Sequence, residues 1–359
     1  MHKHPHFGRM LALLLAVVMV FSALAVSAFA ANRENVRQYG AYMCIGDSIA
    51  AGYTLSGERD NFFRVRVPGA YHDIVSDATG AKLNQFGWSA FRSVELRYLL
   101  EGVRNDPDGV WLESFRPLVN NDLLDRNRED YLNAIRESDL ISVNLGSNDV
   151  MSYAMTKTMS LLTRSNDCEL AAMATECLEK CGDFGTAFVK LMSLAEKAGK
   201  LPLVLASLNP TLMKALAYFK SNFNACLKGI YELNPNATVV VVGVFNPMAN
   251  LRLIDNGNLK LGAILQPTVD LLNAFLKSGS KYASRYLFAP VPNTTTYDMS
   301  LTGMLKGGTD NMRTRILWDV HPTHVGHSYM ADQILSVLPT ADGRQSGFHP
   351  FAWLRGLWH

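Results

Sequence analysis

The chain has 359 residues, enough for one large domain or two small ones, and its 48% hydrophobic content is that of a protein with a substantial core. Its formal net charge is only +2 and its 34 basic residues gather into no long block, so its charge makes no case for a nucleic-acid partner. Neither an internal repeat nor a low-complexity linker is visible.

The N-terminus reads as a targeting segment rather than as part of the fold. His2, Lys3, His4, His6 and Arg9 make a basic start, Leu11 to Val26 is apolar except for Ser22, and Ala28-Phe29-Ala30 offers a small-x-small cleavage site. That is the layout of a signal peptide over residues 1–30. The rival is an uncleaved anchor, since no charge lies between Arg9 and Arg33 and the gap is long enough to cross a bilayer. Either way the remainder is expected to be secreted or extracytoplasmic, with no stable membrane span after cleavage.

Strand-like and helix-like patterns then alternate, which predicts an α/β domain over 38–340 with a parallel sheet. Tyr42 to Ile45 is the first strand, Tyr71 to Asp77 a helix, Lys82 to Phe86 a short strand and Ala90 to Glu101 a helix with Phe91, Val94 and Tyr98 on one face. Tyr131 to Glu137 is a helix leading into a buried strand, Leu140 to Leu145. Met151 to Leu205 is a helical insertion, read either as extra core helices or as a cap beside a binding site. Leu212, Leu216, Phe219, Phe223, Cys226 and Ile230 recur at helical spacing. Val239 to Val244 is a nearly all-valine strand. Leu265 to Lys277 is a helix with Pro267 near its start, Tyr286 to Ala289 a fifth strand, and His324 to Leu338 the closing helix. Five strands with intervening helices predict a flavodoxin-like, doubly wound five-stranded parallel sheet, whose ligands bind at the carboxyl ends of the strands. An aromatic tail, 341–359, follows.

Five cysteines, Cys44, Cys168, Cys177, Cys181 and Cys226, leave at least one thiol unpaired. Cys44 reads as a small buried hydrophobe. Cys177 and Cys181 share a helix face, but no histidine or second pair flanks them, so no metal site is expected. A disulfide among Cys168, Cys177 and Cys181 is left open.

The chemistry-bearing residues sit at strand ends. Gly46-Asp47-Ser48 follows the first strand, so the serine is lifted onto the mouth of the sheet. A serine hydroxyl needs a general base and an oxyanion site to act as a nucleophile. Gly146-Ser147-Asn148-Asp149 follows a later strand, and Trp318-Asp319-Val320-His321-Pro322 lies near the C-terminus. Pro322 breaks the backbone beside His321 and leaves the imidazole on a loop, whereas His327 falls inside the closing helix and reads as structural or surface.

These segments, with Gly87 in Asn84-Gln85-Phe86-Gly87-Trp88 as a second block, resemble in order the four blocks of the SGNH or GDSL hydrolases, a family of serine esterases and lipases. The resemblance spans about Tyr42 to Leu338. It implies a secreted bacterial type of serine esterase or lipase that cleaves a carboxylic ester through an acyl-enzyme, with no metal or organic cofactor. Ser48 would be the nucleophile and His321 the base. Gly87, Asn148 and the Ser48 N–H would form the oxyanion hole, glycine leaving room for a close oxyanion. Asp47 and Asp149 read as scaffold carboxylates. The family's acid usually stands three residues before the histidine. Trp318 is there instead, so the group orienting His321 is either the Asp319 carboxylate or the Trp318 main-chain carbonyl. The substrate is a small-molecule, polysaccharide or lipid ester. Two rival functions use the same scaffold: a noncatalytic carbohydrate- or envelope-binding protein, and a sugar acyltransferase.

Overall fold

Short apolar runs bounded by turn residues become the five strands of one sheet: β1 (Ala41–Gly46), β2 (Lys82–Gly87), β3 (Leu140–Asn144), β4 (Thr238–Val242) and β5 (Leu287–Ala289). All pairings are parallel and the order is β2-β1-β3-β4-β5, the expected doubly wound arrangement. These positions come from a computed structural model that describes residues 35–53, 64–103, 119–181, 184–246, 249, 261–291, 321–322 and 324–342. The signal segment, Trp318, Asp319 and all but the first two residues of the tail lie outside the described residues.

Alternation along the strands divides the core in two. Met43, Ile45, Ile141, Val143, Val239 and Val241 face one side, while Tyr42, Cys44, Leu140, Val240 and Val242 face the other. Both faces are covered, which is why β3 is buried at every position and reads as a continuous apolar run. The second face is covered by α2 (Tyr71–Thr79) and α10 (His324–Val337), through Tyr71, Val75, Met330, Ile334 and Leu335. The first is covered by α3 (Ser93–Glu101), α4 (Asn121–Glu137), α5 (Tyr153–Leu162), α6 (Cys168–Cys181), α7 (Phe184–Lys197), α8 (Leu201–Leu233) and α9 (Leu261–Ala274). An isolated antiparallel bridge between Val36 and Thr340 ties the two ends of the domain together.

Several boundaries differ from expectation for identifiable reasons. Helix α3 starts at Ser93 rather than Ala90, because Ala90 takes φ 64° in a turn that follows β2. Helix α4 starts ten residues before Tyr131, where the Asn120 side chain accepts from Leu123 N at 3.0 Å. Its first turns are highly charged and carry little periodic apolar signal. Helix α9 begins at Leu261, so Pro267 lies inside it rather than near its start. Helix α8 likewise runs for 33 residues through Pro210, joining the end of the helical insertion to the stripe at Leu212 to Ile230. Cys44, Cys168 and Cys226 carry free thiols, so Cys168 takes no part in a disulfide. Among the described residues no helix is long and apolar enough to cross a membrane.

A four-residue helix, α1 (Ser48–Ala51), follows β1 directly and lies across the ends of β1 and β2. The approach is so close that a Cβ on Gly46 would meet Ala50 Cβ at 2.6 Å, besides Asn144 O of β3 at 2.5 Å, and one on Gly87 would meet Ala51 N at 2.4 Å. Those neighbours are backbone atoms or a Cβ fixed to the backbone, and cannot move aside. Gly87→Ala is therefore expected to destabilise the fold by about 1–3 kcal/mol, the usual range for overpacking, read as a lower midpoint in urea unfolding.

Candidate active site

Helix α1 presents Ser48 as its first residue, half-buried at the carboxyl end of β1. Asp47 is its N-cap, with Oδ1 accepting from Ile49 N at 2.9 Å. Gly52 ends the helix at φ 75°, and Tyr53 N donates back to Ser48 O at 3.0 Å. This tight loop is held from below by His72 of α2. Its Nδ1 bonds Ala50 O at 2.8 Å, and its Nε2 accepts from Val67 N at 3.2 Å.

His321 arrives from 273 positions downstream and places Nε2 2.8 Å from Ser48 Oγ. Pro322 separates it from α10, which starts at His324, so the imidazole does stand on the loop before the closing helix. The Tyr53 ring packs on the imidazole, with centroids 4.4 Å apart and planes tilted by 44°. An imidazole nitrogen at this distance can take the serine's proton and hand it on. His327 is wholly buried, accepts from Tyr71 N at 3.2 Å through Nδ1 and is structural.

Asn148 lies on a π-helical turn, Ser147–Ser152, at the carboxyl end of β3. Gly146 enters that turn at φ 125°, a conformation closed to other residue types. The Asn148 amide nitrogen donates to Phe91 O at 3.3 Å and, more weakly, to Asp47 Oδ2 at 3.5 Å. Its oxygen accepts from Ser152 Oγ at 3.2 Å. Ser48 and Asn148 line one cavity that opens to solvent. Its apolar wall is Ile49, Met151, Met155, Phe245 and Leu265.

Gly87 does not line this cavity. It pairs with Gly46 in the sheet, and the space where its Cβ would stand is filled by the backbone of Ala50 and Ala51. The close approach that demands glycine is thus made by α1, not by an oxyanion. Trp318 and Asp319 lie outside the described residues.

A sequence model of the GDSL-like lipase/acylhydrolase family matches residues 42–334. The chain belongs to this family. Among solved structures it is similar to an extracellular lipase from Streptomyces rimosus, at 16% identity and TM-score 0.38 over 72% of this chain and 82% of that one. It is also similar to phospholipase A1 from Streptomyces albidoflavus NA297, at 16% identity and TM-score 0.37 over 81% and 95%. A third is the lipase Lip_vut3 from a goat rumen metagenome, at 15% identity and TM-score 0.40 over 82% and 95%. No curated protein matches.

Within this GDSL chain, sequence reasoning missed Tyr53, His72 and the part of the apolar wall made by Ile49, Phe245 and Leu265. Tyr53 was within reach, since it stands one residue past the helix-ending glycine of the serine block. His72 and Phe245 carry no local signal, because long-range folding alone brings them to the site. Burial sets the charge states here. It pushes the Asp47 and Asp149 carboxyls up to about 7 and pulls His72 down to about 4.

His72 gives a pH signature. Between about pH 4 and 6.5 the unfolded chain binds a proton that the buried imidazole refuses, so this contribution is complete above 6.5 and lost as pH falls. A His72→Asn variant is expected to be less stable than the parent at pH 7. That difference should shrink toward pH 4 by up to about 3 kcal/mol, measured by urea unfolding at several pH values.

Proposed function

We propose that this protein is a secreted serine esterase or lipase that hydrolyses carboxylic esters through an acyl-enzyme on Ser48. The observation that carries the reading is the 2.8 Å contact between His321 Nε2 and Ser48 Oγ, made across 273 residues at the mouth of an apolar cavity. Secretion rests on the signal-like segment 1–30.

In the proposed reaction Ser48 Oγ attacks the ester carbonyl carbon while His321 Nε2 takes its proton. The tetrahedral oxyanion is met by the Ser48 N–H and the Asn148 amide. In accepting the oxyanion, Asn148 would release its long contact to Asp47. Collapse expels the alcohol, which takes the proton from the imidazolium. Water, activated by the same imidazole, then hydrolyses the acyl-enzyme. The imidazole must keep a proton on Nδ1 for Nε2 to accept. The Trp318 carbonyl, at the family's minus-three position, is the preferred anchor for it, and the Asp319 carboxylate the alternative. No cofactor enters.

A noncatalytic binding protein has no use for a base aligned on a serine, so the esterase reading is preferred. Ser48→Ala should fold normally yet lose p-nitrophenyl ester hydrolysis by about 10⁴-fold or more. It should also lose labelling by a fluorophosphonate. Labelling at another serine, or retained activity, would remove the assignment.

The cavity wall gives the acyl side of the substrate. Met151 and Met155 are flexible apolar side chains suited to a hydrocarbon chain of variable shape. On this reading the first two turns of the helical insertion shape the acyl site. Met155→Trp should lower kcat/KM for p-nitrophenyl decanoate by about 10–100-fold, the range set by apolar pocket contacts. Turnover of p-nitrophenyl acetate should stay within about threefold.

A further inference from the structure

Asn148 and Asp149 are neighbours on one π-helical turn, yet they face different surroundings. Asn148 is half-buried and lines the cavity beside Ser48. Asp149 is buried and turns to the N-terminus of α3. Its carboxylate accepts from Ser93 N at 3.0 and 3.2 Å and also from the Ser93 hydroxyl. Helix α3 needs this outside acceptor. Its N-cap residue is Arg92, whose side chain has no acceptor to offer and instead pairs with Glu95 at 2.8 Å, both groups buried. The first N–H of α3 is thereby satisfied from a segment 56 positions away.

The same loop carries the acceptor for Asn148. Phe91, two residues before Ser93, receives the Asn148 amide on its carbonyl at 3.3 Å. The loop and the π-helical turn are thus joined at two points, one on each side of the turn. The Asp149 end is buried and takes both the N–H and the hydroxyl of Ser93. The Asn148 end is a single neutral bond, long at 3.3 Å. The turn's backbone is closed by its own bonds, Val150 N to Gly146 O at 3.0 Å and Tyr153 N to Asn148 O, so the ties to the loop act on the Asn148 side chain.

We propose that Asp149 is a positioning residue for the oxyanion donor: by gripping Ser93 it fixes the Phe91 carbonyl, and so aims the Asn148 amide at the reacting oxygen. The proposal rests on the esterase reading of Asn148. Asp149 touches no substrate and acts only through its neighbour.

The test is a double-mutant cycle in the full chain with p-nitrophenyl acetate. Asn148→Ala alone should lower kcat by about 10²–10³-fold. Asp149→Asn keeps the size and one acceptor for Ser93 N, and should lower kcat by about tenfold or more with KM within about twofold. In the Asn148→Ala background, Asp149→Asn should cost less than about twofold further, because the group it aims is gone. Ser93→Ala, which removes only the hydroxyl donor, should show the same pattern at smaller size, and serves if Asp149→Asn does not fold by circular dichroism. Equal losses in both backgrounds, or a kcat unchanged by both variants, would overturn the proposal while leaving the esterase reading intact. A kcat unmoved by Asn148→Ala would overturn both the donor role and the proposal. Activity surviving in Ser48→Ala would instead overturn the esterase reading.

Discussion

The site depends on one steric constraint: α1 must pass within backbone contact of two strand ends. A serine can stand at the mouth of a parallel sheet only if the chain leaves its strand and enters a helix at once. Here it does so within a single residue, Asp47, which caps the helix it begins. The helix then has nowhere to lie but on the ends of β1 and β2, and the glycines at Gly46 and Gly87 are the room it lies in. Given that, Ser48 faces the cavity and Asp47 is buried between α1 and the Asn148 turn. His321 needs only to drop from the loop before α10 to reach the hydroxyl. His72 braces the same helix from the layer beneath.

The constraint has an electrostatic consequence. Two carboxylates, Asp47 and Asp149, are buried on either side of Asn148, and burial pushes both up to about 7. Asp47 is held by N–H groups alone, while Asp149 adds the Ser93 hydroxyl and the more distant field of Arg92. For an acid whose folded-state pKa is raised, the native state holds the proton that the unfolded state gives up. The stability they contribute is then complete below about pH 4 and falls as pH rises toward 7. His72 runs the other way across the same interval, its contribution growing with pH. The slopes oppose each other, so His72 offsets part of the decline that the two carboxylates would otherwise give.

The fold was legible where packing is dictated by local pattern. The five strands are short apolar runs, and covering both faces of a parallel sheet makes such runs continuous. The parallel pairing of the strands followed from the alternation with helices. Boundaries were less legible. The start of α4 is set by the Asn120 cap rather than by apolar period, and Pro210 and Pro267 sit inside helices that tertiary packing sustains despite the missing N–H. At the site, Ser48, Asn148 and His321 were legible because each follows a strand end or stands beside a helix-breaking residue in a recognisable block. Gly87 was legible as a required glycine but for a different neighbour: α1 occupies the space, a fact that pairing register alone reveals. Asp149 showed only as a scaffold carboxylate, because its partner Ser93 is nowhere near it in sequence.

The helical stretch after the Asn148 turn was open to two readings, core or cap, and its residues divide between them. Phe188, Leu191, Met192 and Val204 are buried in the main apolar cluster away from the cavity, whereas Met151 and Met155, members of the same cluster, also line the cavity. Asn148, Met151, Ser152 and Met155 stand at offsets of three, four and seven, the spacing of a single helical face, and all four line the cavity. On the esterase reading this joins two tasks on one element. The residue meant for the oxyanion and the residues meant for the acyl chain share a backbone that the core layer behind them makes rigid. Binding of a well-fitting chain at Met151 and Met155 then bears on the same turn that holds the donor. Energy from the unreacting part of the substrate can thus be spent on geometry at the carbonyl rather than on affinity alone. A cap on a flexible loop could not transmit it. A helix that is half core can, because its other face has no freedom to yield.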